Sequence, residues 1–249
     1  MTIEAIIWLV LVIIIALVIF KITKSIFKAI FLAISAGVLI IIIIGAMVIS
    51  DSMDFKDNFP TQPSLYLFEG KDNVISGFSG VLGDDFKPSF VSEEKLASYS
   101  TNYKQDNLKA MLGNNYKVFI IKKQALASVD RVEGDDTELT RADLDKLLAS
   151  ETPIDDYIEM QIGIVPASQK AQAREQLLNQ IGIESDVEFK GAIFGTLFTT
   201  AGEERGPLFI FEEYKEGNII VYPETALFKF MKRMPISFVK NVIQKKEGE

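Results

Sequence analysis

The sequence predicts an α+β fold, with an N-terminal transmembrane helical hairpin ahead of a mixed soluble domain that contains antiparallel β-hairpins. Three observations lead there. Two charge-free apolar runs, Ala5–Phe20 and Ala29–Ser50, lie near the N-terminus. Runs rich in β-formers, bounded by turn residues, recur after them. Amphipathic helix patterns lie between those runs without the regular alternation of a parallel βαβ sheet. The 249 residues accommodate one sizeable domain plus further segments. They divide into a hairpin over 1–50, an acidic linker over 51–63, an acidic α+β domain over 64–228 and a basic amphipathic segment over 229–249.

Crossing the hydrocarbon core takes about 20 apolar residues, so the twenty-two of Ala29–Ser50 suffice alone. The sixteen of Ala5–Phe20 reach that length by borrowing Thr2 and Ile3 or Ile22, with Glu4 or Lys21 snorkelling toward the headgroups. A cleaved signal peptide would begin with a basic stretch. Here only Glu4 precedes the apolar run and the lysines come after it, so the run reads as a span.

Lys21, Lys24 and Lys28 separate the runs, and each would cost about 2.5–3.5 kcal/mol at a bilayer centre. They belong at a membrane surface. One straight helix through both runs would extend about 70 Å, over twice the core thickness, whereas a hairpin buries both. "KITKSIFK" holds no Gly, Pro, Asn or Asp, and its lysines share one helical face. A short interfacial helix therefore suits the connection better than a tight loop. Positive charge favours the cytoplasm, which puts the connection inside and both the N-terminus and the large domain outside a two-pass cell membrane protein. Ala29, Ala33 and Gly37 recur every four residues and form a small-residue ridge on the second span. Such a ridge allows close approach within the hairpin or between copies, making a homo-oligomer an expected partner state alongside the lipid bilayer.

In the linker, "DSMDFKDNFPTQP" reads as extended from its acids and two prolines. "SLYLFEGKDNVISGFSGVL" predicts a β-hairpin turning at Gly-Lys-Asp-Asn, and Tyr116–Lys122 a further strand. Alternation of Ile158, Met160, Ile162 and Ile164 predicts a half-buried strand, and "GPLFIFEEYKEGNIIVYP" a second hairpin turning at Lys215–Asn218. Short helices are expected after Ser92 and Asp106. A third is capped by Thr140 with Asp143 three residues on, and presents Leu144, Leu147 and Leu148 on one face. A fourth runs from Pro166 to Gly182. A fifth starts at a Ser185/Glu188 capping box, with Gly202 as its stop and with Gly191 and Gly195 allowing close packing on the sheet. No internal repeat is visible.

The chain contains neither cysteine nor histidine. That excludes disulfides, thiolate nucleophiles, Cys/His zinc sites, imidazole bases and Ser-His-Asp triads. No cofactor motif is present, so none is expected. Residues 51–228 hold seventeen bases against thirty-one acids, a net of −14, which excludes a nucleic-acid partner. "SGFSGVLG", Ser76–Gly83, fails the nucleophile-elbow spacing at Val81, and a glycine-rich strand end explains it better than catalysis by Ser79 with a lysine base. The five acids of Asp130–Glu138 lack the EF-hand order, and Asp155, Asp156 and Glu159 carry no recognisable signature. Both read as solvated.

The C-terminal stretch "ALFKFMKRMPISFVKNVIQKK" carries Lys232, Arg233, Lys240, Lys245 and Lys246. Beyond Pro235, Ile236, Val239, Val242 and Ile243 form an apolar stripe. Docking on the chain's own acidic domain is the expected role, with an anionic membrane surface or a partner as alternatives. The function expected from all this is a membrane-anchored, non-catalytic binding, scaffold or assembly protein of the cell envelope. A membrane-anchored hydrolase with Ser/Lys or carboxylate chemistry and a cytoplasm-facing membrane adaptor are the competing readings.

Overall fold

The computed structural model describes residues 3–82, 87–133, 138–163, 166–206 and 208–235, with backbone alone along 3–20, 22–26 and at 29 and 133. Its contacts separate two units, 1–50 and 51–249.

The first unit is helical. Helix α1, Ile3–Asn58, is a single unbroken α-helix through Lys21–Lys28. The expected hairpin is not seen, since the helix continues through the lysines without a turn. The reason is local: eight residues without Gly, Pro, Asn or Asp offer nothing that interrupts the i→i−4 ladder. Among the described residues one stretch, Ile30–Asn58, is long and apolar enough to cross a membrane, and none of its apolar window is buried. Phe31, Leu32 and Ile41 are among its most exposed side chains.

Asp51–Asn58 opens the second unit and is helical, where an extended linker was expected. Neither proline lies inside this stretch, and the helix ends just before Phe59, the residue that precedes Pro60 and is therefore biased away from helical geometry. Strands β1 (Ser64–Gly70) and β2 (Asn73–Gly80) form the expected hairpin. Its turn residues Lys71 and Asp72 both have positive φ, 50° and 62°, as a two-residue type I′ connection requires. Ile75 is an extra residue in β2, because Phe68 pairs with Ser76 and Glu69 with Val74.

After β3 (Ser89–Phe90) come α2 (Glu93–Lys104), α3 (Leu108–Leu112) and the predicted strand β4 (Val118–Lys122). A small ribbon of β5 (Arg131–Glu133) and β6 (Glu138–Thr140) leads into α4 (Arg141–Ala149), α5 (Pro153–Ile162), α6 (Ala167–Ile181) and α7 (Asp186–Arg205). The chain closes with α8 (Phe209–Glu216), β7 (Ile219–Tyr222) and α9 (Ala226–Arg233). The main sheet has the order β3-β2-β1-β4-β7. Strands β1 and β4 are parallel at its centre and the other pairings are antiparallel.

Two expected strands are helices. In α5, Pro153 occupies the first turn with Asp155 and Asp156, and Ile154 and Ile158, four apart, are buried together. Alternation in Ile158–Ile164 was overruled by this i, i+4 pair. The first arm of the second expected hairpin is α8, which buries Phe209 and Tyr214 and ends at Gly217 in the left-handed region. Only the second arm, β7, is a strand, and it pairs with β4. Helix α7 runs past Gly202 to Arg205, where Gly206 ends it.

One face of the sheet packs Tyr66, Phe68, Phe78, Phe119 and Val221 against α4, α5, α7, α8 and α9. The other packs Leu65, Leu67, Val118 and Ile120 against α2 and α3. Helix α7 sits directly on β2: a Cβ on Gly191 would stand 2.9 Å from the Gly77 carbonyl oxygen, as its predicted close-packing role requires.

Candidate functional site

Two places in the second unit concentrate polar groups that the fold has brought together. The first surrounds Asp51, at the start of that unit. Leu227, in the first turn of α9, donates its backbone N–H to Asp51 Oδ2 at 3.3 Å, while Thr225, the residue in the capping position, makes no side-chain cap. A carboxylate 176 residues upstream thus caps α9. One turn on, Asp54 Oδ2 accepts from the Tyr116 hydroxyl at 2.7 Å, and Asp54 Oδ1 accepts from Asn58. Burial and this carboxylate push the Tyr116 phenol above its ordinary pKa.

Lys117 sits beside these acids and is 1% exposed. Its ammonium donates to the Pro223 carbonyl at 3.1 Å and lies over the rings of Tyr116 and Phe228. Burial lowers its pKa, and the charges of Asp54 and Asp51 oppose that shift. Around it Phe55, Phe59, Phe211 and Phe228 form an aromatic cluster that fastens Asp51–Asn58 to the domain. The far end of α9 is held by Lys215, which donates to the Met234 carbonyl. Between these fixed ends α9 buries Phe228 and exposes Lys229, Phe230, Lys232 and Arg233. The Lys232 amine also covers the Tyr214 ring.

The second place is a cleft of about 660 Å³ at the C-terminal ends of the parallel strands β1 and β4. Phe68, Ile75 and Leu148 supply apolar lining, and Lys71, Lys122, Lys123 and Lys190 supply positive charge beside the carboxylates of Glu69 and Asp72. The bulged Ile75 belongs to this wall. Asp145 also lines the cleft, but it is held by Lys123 at 2.9 Å and by Arg141 at 3.2 Å. Lys190 has no acid within ion-pair distance among the described residues, and burial lowers its pKa against the more distant Asp186 and Glu151. The opening is wide enough for a small molecule with an apolar part and an anionic group.

The residues singled out in the sequence fall as follows. Lys21 and Lys28 are exposed on α1, and Lys24 lies on its backbone between them. Ala33 and Gly37 stand one turn apart on α1, Gly37 with nothing within 4 Å of the position a Cβ would take, and Ala29 is one turn before them. Lys240, Lys245, Lys246 and the stripe Ile236–Ile243 lie outside the described residues, as do residues 134–137 of the acidic loop. Of that loop, Arg131 and Glu138 pair across β5 and β6 at 2.9 Å. Asp155 and Glu159 are taken up by Arg174 and Lys170. Ser79 donates to Asn115 Oδ1 at 2.6 Å, so the hydroxyl proton goes to an amide oxygen and not to a lysine base. Among the described residues no group of His, Cys, Asp and Glu is arranged to hold a metal ion.

Sequence reasoning missed Asp51 as a cap, Lys117 as a buried cation and Lys190 as a cleft residue. All three depend on contacts distant in sequence, and each looks like an ordinary charged residue in its local window. Comparison with protein-family models, curated proteins and solved structures gives no match to this chain.

Proposed function

We propose that this protein is a membrane-anchored, non-catalytic binding or assembly component of the cell envelope that presents its acidic α+β domain outside the cytoplasm. The observation that carries the reading is the exposed apolar stretch from Ile30 to Ser50, with lysines at one end and Asp51 at the other. A stretch of this length left in water would expose large apolar side chains worth about 1.5–3 kcal/mol each, which a bilayer covers. Lys21, Lys24 and Lys28 on one flank favour the cytoplasmic side, and the acids after Ser50 face the other way.

The run Ala5–Phe20 bears on the number of passes. Its fourteen large apolar residues would forgo on the order of 20 kcal/mol in water. Opening one turn of helix at the lysines gives up about four hydrogen bonds of roughly 1 kcal/mol each. In a bilayer the balance favours a bend at Lys21–Lys28 and a second pass, so the proposal is two spans with the N-terminus and the domain on the same side. Self-association through Ala29, Ala33 and Gly37 belongs to the same proposal, and Gly37→Ile is expected to abolish a cross-linked dimer if that ridge is the contact.

The cleft supports the binding half of the reading, because Lys190 has no ion pair there among the described residues while Asp145 is already neutralised. A hydrolase would need a free carboxylate or activated hydroxyl beside that lysine. Asp145, bound to Lys123 and Arg141, and Ser79, bound to Asn115, do not meet that need, while Glu69 and Asp72 line the same cleft and keep a hydrolase as the competing reading.

Protease treatment of intact cells tests the topology, with one epitope at the N-terminus and another at the C-terminus. Both epitopes are expected to be lost without permeabilisation. Protection of the C-terminal epitope overturns the outside assignment and favours the cytoplasm-facing adaptor. Protection of the N-terminal epitope alone reduces the anchor to a single pass.

A further inference from the structure

We infer that α9 lies on an anionic lipid surface, with Lys229, Lys232 and Arg233 at the phosphates and Phe230 at the acyl boundary. The inference rests on the reading that Ile30–Ser50 crosses the membrane. Its own evidence lies within the second unit. Asp51 is the residue immediately after the apolar run, so in a membrane it sits at the headgroups. Leu227 is hydrogen-bonded to it, which brings the first turn of α9 to the same depth. Eight residues of helix extend about 12 Å, so every residue of α9 stays within roughly that distance of Asp51 whatever the tilt. The headgroup layer and the Debye length, each within about 10 Å, cover most of that range.

The exposed surface of α9 has the chemistry such a layer selects. Three cations stand on it in a domain that is otherwise strongly acidic, and an aromatic ring, 38% exposed, stands among them. Basic residues beside an aromatic are the combination that interfacial helices use. The opposite face is occupied: Phe228 is in the aromatic cluster and both ends are held by Asp51 and Lys215, so α9 is presented and not free to fold away. The acids at the junction and just before α9 already have partners, Glu224 accepting from the Tyr214 hydroxyl. Asp51 is engaged by Leu227, and Asp54 by Tyr116 and Asn58, with Lys117 beside both. These positive charges lie about 180 residues along the chain from the span, beyond the short flanks that set orientation, so they are compatible with a domain outside the cytoplasm.

The absence of native cysteine makes a single introduced thiol unique. Full-length Phe230→Cys carrying an environment-sensitive fluorophore is reconstituted into vesicles of phosphatidylcholine, with or without about one-third phosphatidylglycerol. Lys95→Cys on α2, exposed in the structure, is the reference and Lys229→Cys the second α9 position. Lipids with a quencher near the headgroup are expected to quench the α9 labels about twofold more than the reference in anionic vesicles, and salt near 0.5 M or the triple change Lys229→Glu, Lys232→Glu and Arg233→Glu to remove that excess. Equal quenching at α9 and the reference, in protein that resists carbonate extraction, overturns the α9 inference and leaves the anchor intact. Excess quenching that is the same in both vesicle types and unaffected by salt overturns the role of charge. Release of the protein by carbonate overturns the anchor and the inference with it.

Discussion

Asp186 bridges three helices through Ile154 and Arg174: its Oδ1 accepts the Ile154 backbone N–H at 3.1 Å, capping α5, while Oδ2 binds the Arg174 guanidinium of α6. Thr152, the residue in the α5 capping position, makes no side-chain cap of its own. Arg174 also reaches Asp155 at 2.8 Å, so one arginine ties α6 to both α5 and α7. Asp186→Ala is expected to destabilise the domain by about 2–3 kcal/mol, since it removes a cap and strands part of a guanidinium. Arg174→Met is expected to cost less, about 1 kcal/mol, because all three groups are partly exposed. Denaturant titration of the two variants measures the difference, and equal costs would mean that the α5 cap contributes nothing.

Two glycines of α7 are predicted to respond with opposite sign. Gly191→Ala puts a methyl 2.9 Å from the Gly77 carbonyl and 3.1 Å from Phe90, so helix and sheet must separate at a cost of about 1–3 kcal/mol. Gly202 has nothing within 4 Å of such a methyl, and Gly202→Ala is expected to stabilise by up to about 1 kcal/mol through helix propensity. A lower Tm for the first variant and an unchanged or higher one for the second is the expected pattern.

The α4 cap gives a prediction in acid. Asp143 Oδ2 accepts from the Thr140 hydroxyl at 2.6 Å and from the Thr140 backbone at 3.1 Å, which holds its carboxyl below the usual aspartate range. A depressed folded-state value contributes stability that is present above the unfolded pKa and lost as pH falls through the folded one. Thr140→Ala removes the reciprocal cap, so it is expected to cost about 1 kcal/mol at neutral pH and progressively less toward pH 2. Thermal melts across that range test it, and a constant cost would show that the carboxylate takes no part.

Lys117 gives the alkaline counterpart. Burial makes its folded-state pKa lower than the unfolded value, so the unfolded chain binds more protons between the two and stability gains from this group as pH rises through that window. Lys117→Met is expected to remove that gain while leaving the tyrosine contributions in place. The difference between wild-type and variant pH profiles above neutrality isolates it, and superimposable profiles would show that the ammonium is not desolvated.

Much of the domain was legible in the sequence because local rules fix it. The Lys71/Asp72 turn, the Thr140 and Ser185 caps and the Gly182 stop all stand where spacing and residue type put them. Where local rules tie, the reading failed. Leu208–Phe211 is a short apolar run that serves a strand or a helix equally, and Ile158–Ile164 satisfies both periods. The lysines at Lys21–Lys28 show a different limit, because the cost of leaving an apolar run in water is a property of the surroundings and not of the helix that carries it.

By itself the sequence determined the apolar N-terminal stretch, the acidity of the domain beyond it, the absence of thiol and imidazole chemistry and the position of most caps, since each depends on residues within a few turns of one another. Only the tertiary structure decided that β1 and β4 run parallel, that α5 and α8 are helices, that Lys117 is buried and that Asp51 caps α9. Those outcomes depend on which distant surfaces exclude water together, and a one-dimensional pattern does not encode the identity of a partner more than a hundred residues away.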